Sequence, residues 1–112
     1  MEAIHIEIIH QGDHMPHCQY MAESVEEVIS AYGNLIRYTK VEYTKSKEHA
    51  RRFSELSIAL YGEEEFKKRL RCAPIPSIFI NGELIFDVIP PRDELIEAIE
   101  SALERYGLGS KK

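Results

Sequence analysis

Cys18 and His17 are the residues of this sequence best suited to covalent chemistry. They follow Pro16 at the start of a stretch with helical periodicity. Unpaired backbone N–H groups at a helix N-terminus favour a thiolate, and the thiolate is the form of cysteine that attacks disulfides. A protonated imidazole at His17 would add to this effect. The pair therefore predicts a single reactive thiol at the start of a helix.

The second cysteine, Cys72, lies far along the chain from Cys18, so the two thiols lack the paired spacing of a zinc ribbon. Cys72 precedes Pro76 on the approach to a predicted strand. We expect it on the same side of the molecule as Cys18, where it could act as a resolving thiol. The interpretation that the pattern favours is a small apolar residue where a helix meets a strand.

Several side chains that bind metals crowd one loop and the helix after it. They are His10, His14, Met15, His17, Cys18 and Met21. Imidazole, thiolate and thioether groups include the soft ligands that Cu(I) prefers, and His with Cys also suits zinc. Their spacing matches no closed ligand pattern. We therefore predict no metal and no other cofactor, with Cu(I) or zinc binding as an alternative.

The first half of the chain alternates strand and helix patterns. In Ala3–Ile9 the isoleucines alternate with His5 and Glu7 until Ile9 breaks the pattern, which predicts a partly or wholly buried strand. An apolar stripe of helical period predicts a helix from Cys18 to a stop at Gly33. Asn34–Thr44 predicts a second strand with an irregularity near Lys40. A helix capped by Ser46 follows, and Glu63–Arg71 predicts a further helical stretch.

A β-hairpin followed by a helix organises the second half. Ser77–Ile80 and Glu83–Val88 are apolar, β-rich runs. They are joined by Asn81-Gly82, the pair that best accepts the positive φ angles of a type I′ turn. Proline cannot donate to a strand ladder, so Pro76 is predicted at the first residue of the strand. A last helix is predicted to begin at Pro91 or Arg92.

The resulting order, β-α-β-α-β-β-α, resembles that of thioredoxin and glutaredoxin. The resemblance covers nearly the whole chain, and its specific parts are the Cys18 helix start and the Pro76 hairpin. It implies an α/β, thioredoxin-like fold in a single domain over residues 1–112, with a central four-stranded mixed sheet flanked by helices. It also implies that Pro76 is cis and lies against Cys18, leaving the backbone of Ile75 to pair with an extended partner. Tyr20 occupies the position of the tyrosine in Cys-Pro-Tyr-Cys glutaredoxins, where it would contact substrate.

The Cys-x-x-Cys motif of that family is incomplete here, because Met21 stands in place of the second cysteine. A thioether cannot attack a mixed disulfide. A resolving thiol would therefore come from glutathione, from another protein or from Cys72. Met21 also belongs to the inward stripe of its helix, and core packing is its expected role.

Composition limits the partners. A chain of 112 residues can bury one core without disulfides. Its formal charge of −5 argues against nucleic acid, which is bound by clustered Lys and Arg. No apolar run approaches the length of a membrane span, and the N-terminus lacks the pattern of a signal peptide. We expect a cytoplasmic protein without a membrane partner.

Two kinds of function fit this sequence. The first is an atypical monothiol thioredoxin-like protein, a thiol–disulfide oxidoreductase that forms mixed disulfides through Cys18. His17 would tune Cys18, Tyr20 would contact the substrate, and Ile75 and Pro76 would form the docking edge. Its partners would be protein thiols or disulfides, or a small thiol. The second is a non-catalytic thioredoxin-fold module that binds proteins, with Cys18 incidental.

Overall fold

The computed structural model describes residues 2–68 and 71–108. These residues form a mixed α/β structure of four strands and four helices, which confirms the predicted α/β class and mixed sheet. The elements are β1 (Ile4–His10), α1 (Pro16–Ile29), β2 (Ile36–Glu42), α2 (Lys47–Tyr61), α3 (Glu63–Lys67), β3 (Ser77–Ile80), β4 (Glu83–Phe86) and α4 (Arg92–Arg105).

The sheet has the strand order β2-β1-β3-β4. Strand β1 pairs in parallel with β2 and antiparallel with β3, and β3 pairs antiparallel with β4. Parallel neighbours need a crossover, and α1 supplies it. The parallel register pairs His10 directly with Glu42 at the last residues of β1 and β2. The loop that leads to α1 therefore starts at the same sheet edge where β2 ends.

Helices cover both faces of the sheet. On one face, α1 and α4 pack against residues such as Ile6, Ile8 and Ile78. On the other face, Leu56 of α2 packs near Ile9 and Phe79. Every residue of β1 except His5 is buried, which confirms the expectation of a buried strand. This rigid central strand leads directly into the loop that carries the candidate site.

Local sequence signals explain most of the element ends. Helix α1 begins at Pro16, two residues before the predicted start, because proline suits the first helical position. Ser46 accepts a hydrogen bond from the backbone N–H of His49 at 3.1 Å, which confirms it as the cap of α2. The φ angles of Asn81 and Gly82 are +51° and +84°, the positive values that a type I′ turn requires.

Other predicted boundaries were wrong. The β1–β2 register is continuous, so there is no irregularity near Lys40; the register shift lies between Ile78 and Phe79 instead. Strand β4 ends at Phe86 rather than Val88. The run 87–91 contains two consecutive prolines, which cannot donate to a ladder. The helix predicted over Glu63–Arg71 ends at Lys67, and residues 69–70 of that prediction lie outside the described residues.

Two further ends also differ from the prediction. Helix α1 ends at Ile29 rather than continuing to Gly33, which instead opens a short 3-10 turn with φ of +53°. Strand β2 spans Ile36–Glu42, shorter at both ends than predicted. Within residues 2–68 and 71–108, no helix is both long enough and apolar enough to cross a membrane.

Candidate functional site

Cys18 lies in the first turn of α1, directly above the end of β1. Proline opens the helix, and no side chain caps its start at Met15. The backbone N–H of Gln11, in the loop after β1, donates a hydrogen bond to the Sγ of Cys18 at 3.4 Å. A helix N-terminus and a backbone donor both interact favourably with a negatively charged sulfur. The loop after β1 and the first turn of α1 therefore position this sulfur together.

A groove with a volume of about 360 Å³ opens beside Cys18. Two other predicted site residues, Ile75 and Pro76, line it, as does His17. The peptide bond between Ile75 and Pro76 is cis. The full lining is Gln11, Met15, His17, Cys18, Ile75, Pro76, Asp87, Val88 and Ile89. Three segments that are distant in sequence therefore meet at one thiol.

The groove is mainly apolar, and the apolar side chains of Ile75, Val88 and Ile89 form an exposed rim along it. Val88 exposes 66% of its surface, and Ile75 and Ile89 are also exposed. Cys18 exposes only 2% of its surface, so its sulfur lies at the base of the groove. A partner that reaches this sulfur must enter along the apolar rim. The rim can contribute binding through the burial of apolar surface.

Sequence reasoning missed Val88 and Ile89 as groove residues, because it placed Val88 inside a strand. The signal that could have found them is Pro90-Pro91, which ends the strand early and forces extended backbone before it. An apolar pair in such a segment is left without a strand partner. The structure exposes that pair beside Cys18.

Tyr20 and Cys72, also predicted as site residues, lie outside the groove lining. Tyr20 is exposed on α1, and Cys72 is an exposed free thiol just before β3. Burial, and then the charges that Cys18 and Cys72 can carry, raise the pKa of Tyr43. The phenol is therefore within electrostatic reach of both cysteines. Met21 is fully buried in the core, as predicted.

His17 lines the groove beside Cys18, but the loop histidines form no metal cluster with this cysteine. Within the described part of the chain, His14, His17 and Cys18 belong to no group of three or more His, Cys, Asp or Glu side chains that could hold an ion. His14 is exposed, and its ring lies over Gly12. His10 is buried, and this burial, followed by the charge of Lys40, lowers its pKa. A group that does converge is formed by His10, Asp13 and Glu42.

No protein-family model matches this sequence, and no curated protein matches it. The case for function therefore depends on the geometry around Cys18.

Proposed function

We propose that this chain is a thioredoxin-like protein whose Cys18 forms mixed disulfides with an extended, apolar peptide partner. The observation that carries the proposal is the meeting of Cys18, His17, Ile75 and Pro76 at one groove. The strand order β2-β1-β3-β4 and the position of Cys18 at the start of the crossover helix support the fold assignment. The four residues come from two segments that are far apart in the sequence, so their meeting is not a local property of the sequence.

The proposed reaction starts with the Cys18 thiolate and a partner disulfide. The sulfur of Cys18 attacks one partner sulfur in line with the S–S bond. A new bond forms between Cys18 and that sulfur, the old S–S bond breaks, and the second partner sulfur leaves as a thiolate. The sulfur of Cys18 is thereby oxidised to the disulfide level and the leaving partner sulfur is reduced to a thiolate, while the attacked sulfur stays at the disulfide level. The donor N–H of Gln11 holds the Cys18 sulfur in place before attack.

A separate thiol completes the cycle. Because Met21 is buried and carries a thioether, it cannot attack the mixed disulfide. A thiolate from a small thiol, from a second protein or from Cys72 attacks the partner's sulfur or that of Cys18. In the first case, the Cys18 thiolate leaves and is regenerated, and the partner keeps a disulfide with the attacking thiol. In the second case, the partner's thiolate leaves, and the new disulfide on Cys18 is reduced by a further thiolate. Cys72 is an exposed free thiol, so it is accessible to a mixed disulfide.

The apolar rim defines the class of partner. Ile75, Val88 and Ile89 expose apolar surface around the sulfur, and Asp87 adds one carboxylate. A segment with apolar residues beside its cysteine would bury this rim. A small thiol such as glutathione would bury less of this apolar surface. The proposed substrate is therefore a protein disulfide in an exposed, extended segment.

A second function, a non-catalytic binding module, is favoured by the low exposure of Cys18. A sulfur at the base of a groove reacts slowly with partners that do not fit. The same rim of Ile75, Val88 and Ile89 could bind an apolar segment without any covalent step. The two functions differ in what happens when Cys18 is replaced by serine, because a binding module keeps its affinity.

The test is to locate the adduct after reaction with a disulfide of an apolar peptide. The wild type, Cys72→Ser and Cys18→Ser are each incubated with the peptide disulfide, and the modified residue is identified by mass spectrometry of proteolytic fragments. We expect the adduct on Cys18 in the wild type and in Cys72→Ser. Modification of Cys72 alone would contradict the proposal. Non-covalent binding retained by Cys18→Ser, without any adduct in the wild type, would favour the binding module.

A further inference from the structure

The carboxyl ends of β1 and β2 bring three metal-binding side chains together, apart from Cys18. His10 and Glu42 are paired in the parallel register, and Asp13 follows in the loop after β1. One ligand atom from each of the three lies within 4.8 Å of the other two. The group combines one imidazole nitrogen with two carboxylate oxygens.

His10 is the unusual member of this group. Its side chain is 0% exposed, and neither ring nitrogen has a hydrogen-bond partner among the described residues. The nearby Oδ1 of Asp13 is 3.8 Å from Nε2, which is beyond hydrogen-bond range. A buried polar group without a partner destabilises the fold, because it has lost its hydrogen bonds to water. Such a group in a native fold calls for a ligand or a bound water.

We propose that His10, Asp13 and Glu42 bind a first-row divalent cation, for which Zn²⁺ is the probe. Imidazole and carboxylate together suit Zn²⁺, whose bonds to these ligands are about 2.1 Å. Ligand atoms of a tetrahedral site are then about 3.4 Å apart. The 3.8 Å between His10 and Asp13 needs to shorten by only about 0.4 Å to match. Three protein ligands leave one position for water.

The three side chains differ in how freely they can move, and this difference allows Asp13 to close the group around an ion. His10 and Glu42 are fixed by the paired strands. Asp13 is exposed and lies on a loop, so its carboxylate can move toward the other two. The soft ligands of the neighbouring loop are not needed for this site. It therefore shares only His10 with the Cu(I) or zinc alternative drawn from His10, His14, Met15, His17, Cys18 and Met21.

Two lysines compete with the cation. Lys40 Nζ is 3.8 Å from Asp13 Oδ1, and Lys45 Nζ is 3.1 Å from Glu42 Oε2. Both ammonium groups reach solvent, so they can swing away when an ion binds. Their positive charge must lower the affinity for a divalent ion as long as they stay close. Removal of Lys40 is consequently expected to tighten binding, an effect that a nonspecific site would not show.

The experiment is calorimetric titration of the reduced, full-length protein with Zn²⁺, repeated with Co²⁺ to read the ligand type from absorption. We expect one ion per chain without a thiolate-to-cobalt charge-transfer band. Asp13→Asn should weaken binding about tenfold or more, because it removes a charged ligand while leaving the buried residues intact. Lys40→Met should tighten it several-fold. Asp93→Asn, an exposed carboxylate at the start of α4, is the matched control and should change nothing.

Replacement of His10 could disturb the core, so Asp13→Asn and Lys40→Met carry the test. Binding that is unaffected by both of these variants would overturn the proposal. So would binding that is abolished by Cys18→Ser or accompanied by a thiolate band, since either result assigns the ion to a cysteine. Absence of any Zn²⁺ binding by the wild type would also overturn it.

Discussion

The backbone N–H of Gln11 donates a hydrogen bond to the Sγ of Cys18 across 3.4 Å. This contact joins the loop after β1 to the first turn of α1, and it fixes the sulfur at the base of the apolar groove. The position of the sulfur therefore depends on the shape of the short loop between Gln11 and Met15. Residues that set this shape should influence the reactivity of Cys18 without touching it.

Gly12 is the first such residue. Its φ angle is +147°, and a Cβ atom built there would lie 2.7 Å from two ring atoms of His14. We expect Gly12→Ala to destabilise the fold by about 1–3 kcal/mol in chemical denaturation, and to slow alkylation of Cys18 as the loop shifts. The double variant Gly12→Ala with His14→Ala should recover the part of the lost stability that the clash with the His14 ring causes. Gly62→Ala is the matched control, because its φ of +93° is also positive but no atom lies within 4 Å of the added Cβ.

Arg52 is expected to stabilise the fold because it neutralises the buried carboxylate of Glu7. Its guanidinium makes two hydrogen bonds of 2.7 Å to the carboxylate of Glu7, which is 2% exposed on β1. Arg52→Met leaves that carboxylate buried without a counter-charge, which should lower the free energy of unfolding by about 3 kcal/mol. The adjacent Arg51 is exposed, so Arg51→Met should have little effect.

The pair of Glu7 and Arg52 also allows a second, independent test of this explanation for the lost stability. Glu7→Gln combined with Arg52→Met removes the buried charge as well as its partner. This double variant should be more stable than Arg52→Met alone. Equal stability of the two variants in denaturant titrations would show that the Glu7 carboxylate does not cause the loss.

The ionisation of Tyr32 should make the free energy of unfolding depend on pH in the alkaline range. Burial, followed by its hydrogen bond of 2.8 Å to Glu100, raises the pKa of Tyr32 from about 10 to about 12. Below pH 10 both the folded and the unfolded chain keep the phenol proton, so the full contribution is present. Between pH 10 and 12 only the unfolded chain loses it, and the free energy of unfolding should fall as pH rises through this window.

Tyr32→Phe cannot ionise, so its stability should fall less steeply above pH 10 than that of the wild type. Some decline should remain, because burial and a hydrogen bond to Glu26 also raise the pKa of Tyr38. Denaturant titrations at several pH values between 8 and 12 make the comparison. Identical slopes for Tyr32→Phe and the wild type would contradict this assignment.

Local signals made much of the fold predictable. Asn81-Gly82, Ser46 and the stripe containing Met21 each act over a few residues, and each produced the expected turn, cap or core contact. Cys18 was recognisable for the same reason, since a helix start can be read from adjacent residues.

Long-range packing was not predictable in the same way. Glu7 looked like the polar side of an alternating strand, yet it is buried, because Arg52 is brought to it from 45 positions away. The meeting of His10 with Glu42 depends on the parallel register, which no single segment encodes. The apolar rim depended on where β4 ends, and strand ends are set by competition between ladder bonds and the prolines that follow.

The most direct test of the proposed function is the rate of mixed-disulfide formation by each cysteine alone. Stopped-flow reaction of an apolar peptide disulfide with Cys72→Ser reports on Cys18, and the same reaction with Cys18→Ser reports on Cys72. We predict that Cys18 reacts faster than Cys72 despite its burial. Adding Val88→Asp should slow the reaction of Cys18 about tenfold, because the rim loses apolar contact worth about 1.4 kcal/mol. An unreactive Cys72→Ser variant, or a rate that Val88→Asp leaves unchanged, would contradict catalysis in this groove.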